Sequence, residues 1–281
     1  MDKSSVKASA GKRRIIDIHT HAFPDSLADR AMAQLHSECD VKSYLDGRVG
    51  SLLRSMDEAG IEIAVLCSIA TRPTQFKPIL EWSSQIRSKR IIPFPSVHPD
   101  DSALPDKIKE IADRGFIGVK IHPYYQNMVI DDSRNDLLYK SIIENDLILV
   151  LHTGYDIAFP REEKASPRQV LNVLERFSEL KLVTTHMGGW FQWDEVNHYL
   201  LGKPIYIETS VSFDYLGPQR MAQMLEKHDP DYLLFGTDSP WDDQKKAIFN
   251  IENLISNESI KHKLFYENAA KLLKLGRFRC C

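Results

Sequence analysis

Eight short apolar runs, alternating with segments of helical period, constrain this chain more than any other feature. The runs are RIIDIH (14–19), IEIAVLC (61–67), RIIPFPSV (90–97), FIGVKIH (116–122), LILVLHT (147–153), KLVTTHM (181–187), PIYIETS (204–210) and YLLFGTD (232–238). Most are rich in Ile, Val, Leu or aromatic residues and stop at Gly, Pro or a polar residue, as strands do. RIIPFPSV is the weakest, because its two prolines cannot donate to a ladder. Between the runs, VGSLLRSMDEAG (49–60), LPDKIKEIADRG (104–115), DLLYKSIIEND (136–146), SPRQVLNVLERFSEL (166–180) and PQRMAQMLEKHDP (218–230) repeat apolar residues three or four apart. Further helices are expected at 243–256 and 260–275. Strand alternating with helix predicts a parallel sheet with crossover helices. Eight such units predict an α/β chain folded as a (β/α)8 barrel, the TIM-barrel architecture. A doubly wound open sheet is the alternative, and it is weakened because no glycine-rich phosphate loop follows any strand.

No shift of composition marks a linker, so residues 14–276 are read as one domain. Residues 1–13 read as a disordered lead-in and 277–281 as a tail. The stretch 22–48 is long for a loop and predicts an insertion after strand 1, a lid over the barrel mouth. With a net charge of −3, neither nucleic acid nor an anionic membrane is indicated as a partner. Cys39, Cys67, Cys280 and Cys281 form neither a CxxC pair nor a disulfide framework, which suits a reducing cytosol. The N-terminus has no apolar stretch behind its charges, and no apolar run approaches the roughly 18 residues of a membrane span. A cytoplasmic protein acting on a small molecule is expected, with a homo-oligomer left open.

Active sites of such barrels sit at the C-terminal ends of the strands. Strand 1 ends with His19 and His21, strand 4 with Lys120 and His122, strand 5 with His152, strand 6 with His186 and strand 8 with Asp238. Five of the ten histidines thus fall at strand ends. Residues i and i+2 of a strand share a face, so His19 and His21 point together into the mouth, with Asp17 one step deeper. Imidazoles and a carboxylate suit Zn2+, and also Mn2+ or Fe2+. A metal ion with an open position turns bound water into a nucleophile at neutral pH. Each residue also has a plainer reading. A histidine pair can be ordinary polar side chains at a strand end. Asp238 can cap the following helix, and Asp17 can be a structural acid or one that orients a ligand imidazole. His122 is a pocket candidate that precedes Pro123, and His98 reads as a loop residue.

With these residues in view, the chain resembles the amidohydrolase superfamily. The resemblance runs from DIHTH through GVKIHP, LHTG, THMGG and FGTDSPW to YENAAKLL, roughly residues 14 to 275. The wording is closest to the amidohydrolase-related branch, which includes aminocarboxymuconate semialdehyde decarboxylase, resorcylate decarboxylases and lactone hydrolases. The resemblance implies that His19, His21 and His152 are metal ligands. It makes Asp238 a ligand or close neighbour of the metal and the proton shuttle, and turns His186 toward the substrate or the metal-bound water. One ion is expected. A second would require Lys120 to be carboxylated and to bridge the pair, with His152 and His186 as ligands. Lys120 could instead bind a substrate carboxylate or phosphate, or serve the structure alone.

The first expectation is therefore a metal-dependent hydrolase of an amide, lactone or ester carbonyl, with Asp238 and His186 catalytic. The alternative is non-oxidative decarboxylation of a planar unsaturated or aromatic acid. A non-catalytic barrel stapled by metal is the third. Phe23, Tyr124, Tyr125, Trp190, Phe191, Trp193 and Trp241 flank the expected mouth, and Trp241 is the leading pocket candidate among them. Arg161 and Arg168 could grip a substrate carboxylate but read more simply as solvated charges. Glu208 and Ser210, at the end of strand 7, could line the pocket or simply bond to neighbouring loops, and neither is assigned a role.

Overall fold

A computed structural model describes residues 13–39 and 41–276. The expected lead-in up to residue 12 and the tail from 277, with Cys280 and Cys281, lie outside the described residues. The eight strands are β1 (Ile16–Thr20), β2 (Ile63–Cys67), β3 (Ile91–Phe94), β4 (Gly118–Ile121), β5 (Ile148–Leu151), β6 (Lys181–Thr184), β7 (Tyr206–Glu208) and β8 (Leu233–Leu234). Seven lie inside their expected runs, and β1 extends one residue, Thr20, past its own. All pairings are parallel, in the order β1-β2-β3 and β4-β5-β6-β7-β8.

Backbone hydrogen bonds cross both seams between these two sheets. Ile18 N donates to Phe235 O at 2.9 Å and Asp238 N to His19 O at 2.7 Å, tying β8 to β1. Lys120 N donates to Pro95 O at 2.9 Å, tying β4 to the end of β3. The second seam is sparse for a chemical reason. A strand residue turns its N–H and C=O to the same side, and alternate residues share that side. Pro95 faces β4, so Pro93 does too, and neither has an N–H to give. The two prolines that weakened this run in the sequence thus sit where the ladder is thin.

Ile16, Ile18, Ile63, Val65, Phe94, Ile148, Val150, Val183 and Leu234 fill one apolar cluster within the ring of strands. Residues of opposite phase, such as Leu66, Ile91, Val119, Leu149, Leu182 and Ile207, pack outward against the helices. Burial on both faces is why these strands read as continuous apolar runs. The outer layer holds α1 (Asp25–Glu38), α2 (Val49–Ala59), α3 (Phe76–Ile86), α4 (Leu104–Asp113), α5 (Asp136–Glu144), α6 (Pro167–Arg176), α7 (Trp193–Tyr199), α8 (Phe213–Lys227) and α9 (Gln244–Leu254). The short α10 (Glu258–His262) and α11 (Asn268–Leu272) follow, joined by a π-turn where one helix was expected. α11 packs Ala269 and Leu272 on the inner cluster and plugs the floor.

The expected insertion at 22–48 is largely α1. Its Ala28 and Met32 are buried, while Leu27, Arg30, Ala31, Gln34, Leu35 and Glu38 form a stripe along the mouth. No helix among the described residues is long and apolar enough to cross a membrane.

Candidate functional site

The strand ends gather around one corner. His19 Nε2 lies 3.0 Å from His21 Nε2, and Asp238 Oδ1 lies 3.2 Å and 3.0 Å from these two atoms. His186 joins this group, with His19, His186 and Asp238 offering ligand atoms within 4.8 Å of one another. His152 Nδ1 lies 3.2 Å from His186 Nε2. Lys120 is fully buried, and its Nζ lies 3.0 Å from His19 Nε2.

The partners of the opposite ring nitrogens assign the tautomers. His19 Nδ1 donates to Glu208 Oε1 at 3.2 Å and His21 Nδ1 to Cys67 O at 2.8 Å. His152 Nε2 donates to Tyr155 O at 3.0 Å. Ser210 Oγ donates to Glu208 Oε1 at 2.7 Å, so it accepts from His186 Nδ1 at 2.9 Å. Four imidazoles therefore present bare nitrogens, and Asp238 adds an oxygen. Burial holds His19 well below the ordinary imidazole pKa, with the Lys120 charge adding to the effect. Burial does the same at His152, and the neighbouring His122 adds to it. Burial would raise Asp238, but the adjoining His19 and His21 hold it well below the usual carboxylate range.

Lone pairs facing one another at 3.0–3.2 Å repel unless a cation lies between them. Metal-to-nitrogen and metal-to-oxygen bonds of about 2.0–2.2 Å give ligand-to-ligand edges from roughly 2.8 Å in octahedral to roughly 3.6 Å in tetrahedral geometry. The donor set and its spacing fit a divalent metal.

Glu208 anchors this arrangement. It is buried and accepts from His186 N at 2.8 Å, Ser210 N at 2.6 Å, Ser210 Oγ at 2.7 Å and His19 Nδ1. Burial pushes its pKa up, against the pull of His186 and the donors from Ser210. Its space depends on Gly236, where an added Cβ would fall inside van der Waals contact of the Glu208 carboxylate. Gly154 plays the corresponding part behind His152. Its φ of +83° and its bare Cα let the Trp190 backbone approach, so that Trp190 N donates to Thr153 O at 2.8 Å and Tyr155 N to Trp190 O at 2.9 Å. Three other residues at this end, His186, Val211 and Asp238, are held at φ of 56°. Non-glycine residues there carry strain of order 1–3 kcal/mol each, which the surrounding structure must over-determine.

These residues floor a cavity of about 680 Å3, walled by α1, the start of α3 and the loops after β4, β5, β6 and β8. A family model described as amidohydrolase matches residues 16–275. The chain belongs to the amidohydrolase family. No curated relative matches the sequence. Among solved structures, this amidohydrolase is similar to an uncharacterized TIM-barrel protein from Bordetella bronchiseptica, at 21% identity and a TM-score of 0.75 over 94% of this chain and 100% of that one. It is also similar to 5-carboxyvanillate decarboxylase from Sphingomonas paucimobilis, at 15% identity and a TM-score of 0.69 over 93% and 99%. A third is a dihydroxybenzoic acid decarboxylase from Polaromonas with bound manganese and the inhibitor 2-nitroresorcinol, at 16% identity and a TM-score of 0.69 over 94% and 98%. The fold is that of the barrel these proteins share.

Two expected residues stand elsewhere in this amidohydrolase. Asp17 does not share the face of His19 and His21. The β1–β2 register shifts between Asp17 and Thr20, and this irregularity turns the two residues to opposite sides of the sheet. Asp17 accepts from Thr237 N, Thr237 Oγ1 and Gln244 Nε2 of α9, at 3.0, 2.5 and 2.9 Å. Burial pushes its pKa up to about 7. The carboxylate that orients His19 is Glu208.

His152, expected with His19, His21 and Asp238, lies one imidazole away from that corner. It stacks on His122 with ring centroids 4.1 Å apart and planes inclined by 18°. His122 Nε2 and His152 Nε2 lie 3.3 Å and 3.8 Å from Asp156 Oδ2, so these three residues also cluster. Lone pairs lie in the ring planes, however, and near-parallel planes carry them side by side rather than to one point. This second cluster is a carboxylate and two stacked rings, not a chelate.

Of the flagged aromatics, Phe23, Tyr125, Trp190 and Trp241 line the cavity. Trp193 holds the strand-6 loop, its Nε1 donating to His186 O at 3.0 Å, and Tyr124 donates to Glu162 O. Trp82 and Tyr215 line the cavity without having been flagged. Arg161 lies over the rings of Tyr155 and Phe191, and neither it nor Arg168 reaches the cavity wall. His98 accepts from Asp100 N at 3.2 Å, as a loop histidine does. Glu208, Ser210 and Asp156 are the residues that sequence reasoning passed over. For the first two the available signal was a carboxylate and a hydroxyl two apart at the end of an apolar run.

Proposed function

We propose that this amidohydrolase is a metal-dependent non-oxidative decarboxylase of a planar unsaturated or aromatic acid. The observation that carries the reading is a convergence of bare acceptors at the floor of a cavity whose walls are flat. Phe23, Trp82, Tyr125, Trp190, Tyr215 and Trp241 offer rings to a planar substrate. Two of the similar solved structures are named as decarboxylases of aromatic acids, one of them with manganese bound, and this favours the reading over hydrolysis, the first expectation from sequence.

His19, His21 and Asp238 would hold the ion, with His152 beside them. One ion per chain is the proposed stoichiometry, because His19, His21 and Asp238 bring three ligand atoms within about a coordination edge of one another. Manganese or zinc satisfies the donor set. When bound, the ion acts as a Lewis acid toward the acid and an adjacent oxygen substituent.

The chain itself supplies position and a proton. Decarboxylation exchanges a carboxylate for a proton, so a proton must reach the carbon that loses carbon dioxide. Asp238, held well below the usual carboxylate range, stays ionised and is poorly suited to deliver it. His186 Nε2, a bare acceptor at rest, is the better atom: it would take a proton from solvent and pass it to that carbon. Its Nδ1–H is fixed on Ser210 Oγ, which donates to Glu208, so this chain of hydrogen bonds holds the ring with Nε2 toward the corner. Burial lowers the pKa of Lys120, whose Nζ stands at the same corner as the cavity's deepest amine.

The test is product analysis with manganese- or zinc-loaded enzyme, presenting hydroxybenzoates and unsaturated diacids beside lactones and amides. Carbon dioxide release without incorporation of oxygen from labelled water supports decarboxylation. Ring opening or amide cleavage with label incorporation overturns it in favour of hydrolysis.

A further inference from the structure

A small planar acid leaves most of the cavity empty. A hydroxybenzoate at interior packing density takes up roughly 150 Å3, about a fifth of the 680 Å3 that open onto the metal corner. The remaining space reaches α1 and α3. The mouth-facing stripe of α1 is two rows, an apolar one of Leu27, Ala31 and Leu35 and a polar one of Arg30, Gln34 and Glu38. α3 has two inward faces. Phe76, Leu80 and Ser83 are buried on the barrel, while Pro78, Ile79 and Trp82, at i, i+1 and i+4, line the cavity. The charges of α3 are turned elsewhere, Lys77 to Glu110 at 3.0 Å and Glu81 to Arg114 at 2.9 Å. The apolar rows are open to a ligand: Leu27 is 43% exposed, and Leu35, Ile79 and Trp82 are half-buried. Among the described residues, Leu35, Ile69 and Ile79 pack on neither apolar cluster of the barrel, and Ile69, in the loop after β2, lines the same cavity. Helix surfaces turned away from a core are ordinarily polar. Apolar surface that stays open around one cavity marks a place for an apolar group of a ligand.

We propose that the slot walled by α1 and α3 binds an apolar arm of the substrate, an alkyl or aryl substituent carried by the planar acid. This deepens the decarboxylase reading and rests on it for the identity of the ring. The slot and the metal corner belong to one cavity, so a single molecule reaches both, its acid end at the corner and its arm at Leu35 and Ile79. The α3 side offers no charged side chain to the cavity, and its polar residues are bonded to each other, Thr71 Oγ1 donating to Gln75 Oε1 at 3.0 Å. A charged arm would lose hydration there without gaining a partner, whereas an alkyl arm gains by leaving water.

The experiment is calorimetric binding of 2-hydroxybenzoate and its methyl, propyl and pentyl derivatives, substituted at each free ring position, to the manganese-loaded enzyme, with carbon dioxide release followed in parallel. At one position or more, each added methylene should tighten binding about threefold to fourfold until the slot is filled. An arm of the same length that ends in a carboxylate should lose most of that gain. Leu35→Gln combined with Ile79→Gln should flatten the series, bringing every member toward the affinity of 2-hydroxybenzoate. Because the readout is a slope within one series of ligands meeting the same metal, a general loss of metal or of folding does not mimic it. Three results overturn the proposal: no gain from the arm at any position in the parent, a gain that survives the double variant, or tightest binding of the carboxylate-ended arm, which would give this wall to Arg30. A parent dimer that the double variant dissociates, with no gain from the arm, would likewise overturn it and assign the rows to a second copy of this chain. A gain from the arm without carbon dioxide release would leave the slot standing and remove the decarboxylase reading. Release from 2-hydroxybenzoate with no gain from the arm would do the reverse.

Discussion

Replacing Glu208 by Gln separates orientation of a ligand from burial of a charge. The carboxylate accepts four donors, three at Oε1 and one at Oε2. An amide offers one acceptor oxygen and a donating NH2. Whichever way it is placed, the NH2 faces at least one N–H, at Ser210 N if the oxygen takes the crowded side. The bond to His19 Nδ1, at 3.2 Å, is the longest of the four and the first to loosen. Once it loosens, His19 is free to carry its proton on Nε2, and the metal loses its orienting acceptor. Losing such an orienting partner costs typically 10–100-fold in metal affinity, or about 1.4–2.7 kcal/mol. Stability should respond less, since the amide also removes a buried charge whose pKa burial has pushed up. A metal titration against a competing chelator, paired with melting of the apo and loaded forms, reads both quantities. The expected pattern is an apo melting temperature within a few degrees of the parent and a metal-induced rise that is clearly smaller. Parent-like metal affinity in Glu208→Gln would refute the orienting role.

Further outcomes follow from the same geometry. Gly236→Ala places a methyl against the Glu208 carboxylate, so it should destabilise by about 1–3 kcal/mol and weaken metal binding together, read by melting and metal content. His186→Gln should keep the metal and lose about 10²–10⁴-fold in kcat, and Ser210→Ala, which removes the link to Glu208, should lose less. Unchanged kcat in metal-loaded His186→Gln would remove it as proton donor. Asp242 is pushed up to about 7 by burial, above its unfolded value of about 3.9, so the folded chain holds its proton longer and stability falls as pH rises between these values. Asp242→Asn should therefore raise the melting temperature at pH 8 and leave it unchanged near pH 4, the gain bounded by about 4 kcal/mol. Equal effects at both pH values would contradict the shift.

Every strand was legible because strands buried on both faces write themselves as apolar runs; LILVLHT contains β5 and delivers His152 at its end. Helices packing one stripe on the sheet were legible too, as α4 shows with Leu104, Ile108 and Ile111 buried. α1 was not read as a helix, because its mouth-facing stripe mixes Leu27, Arg30 and Gln34 and breaks the apolar period. α7 is only seven residues long and lies inside an aromatic loop signature. At the site, the i, i+2 rule placed His19 with His21, and the register shift in β1 defeated the same rule for Asp17. Glu208 remained unassigned because its importance comes from depth. A fully buried carboxylate with four donors is decisive, and the run PIYIETS alone does not reveal which carboxylate is buried. The Asp156–His122 pairing joins two loops 34 residues apart, and only the barrel brings them together.

The count of divalent ions bound per chain at equilibrium bears most directly on the metal centre. The purified enzyme, dialysed against manganese or zinc and analysed for metal, should hold one ion per chain. A folded His19→Ala, His21→Ala double variant should hold none, and chelation should abolish parent activity reversibly. Parent protein that binds no divalent ion under these conditions, or activity that survives full chelation, would contradict the assignment of these converging lone pairs to a metal.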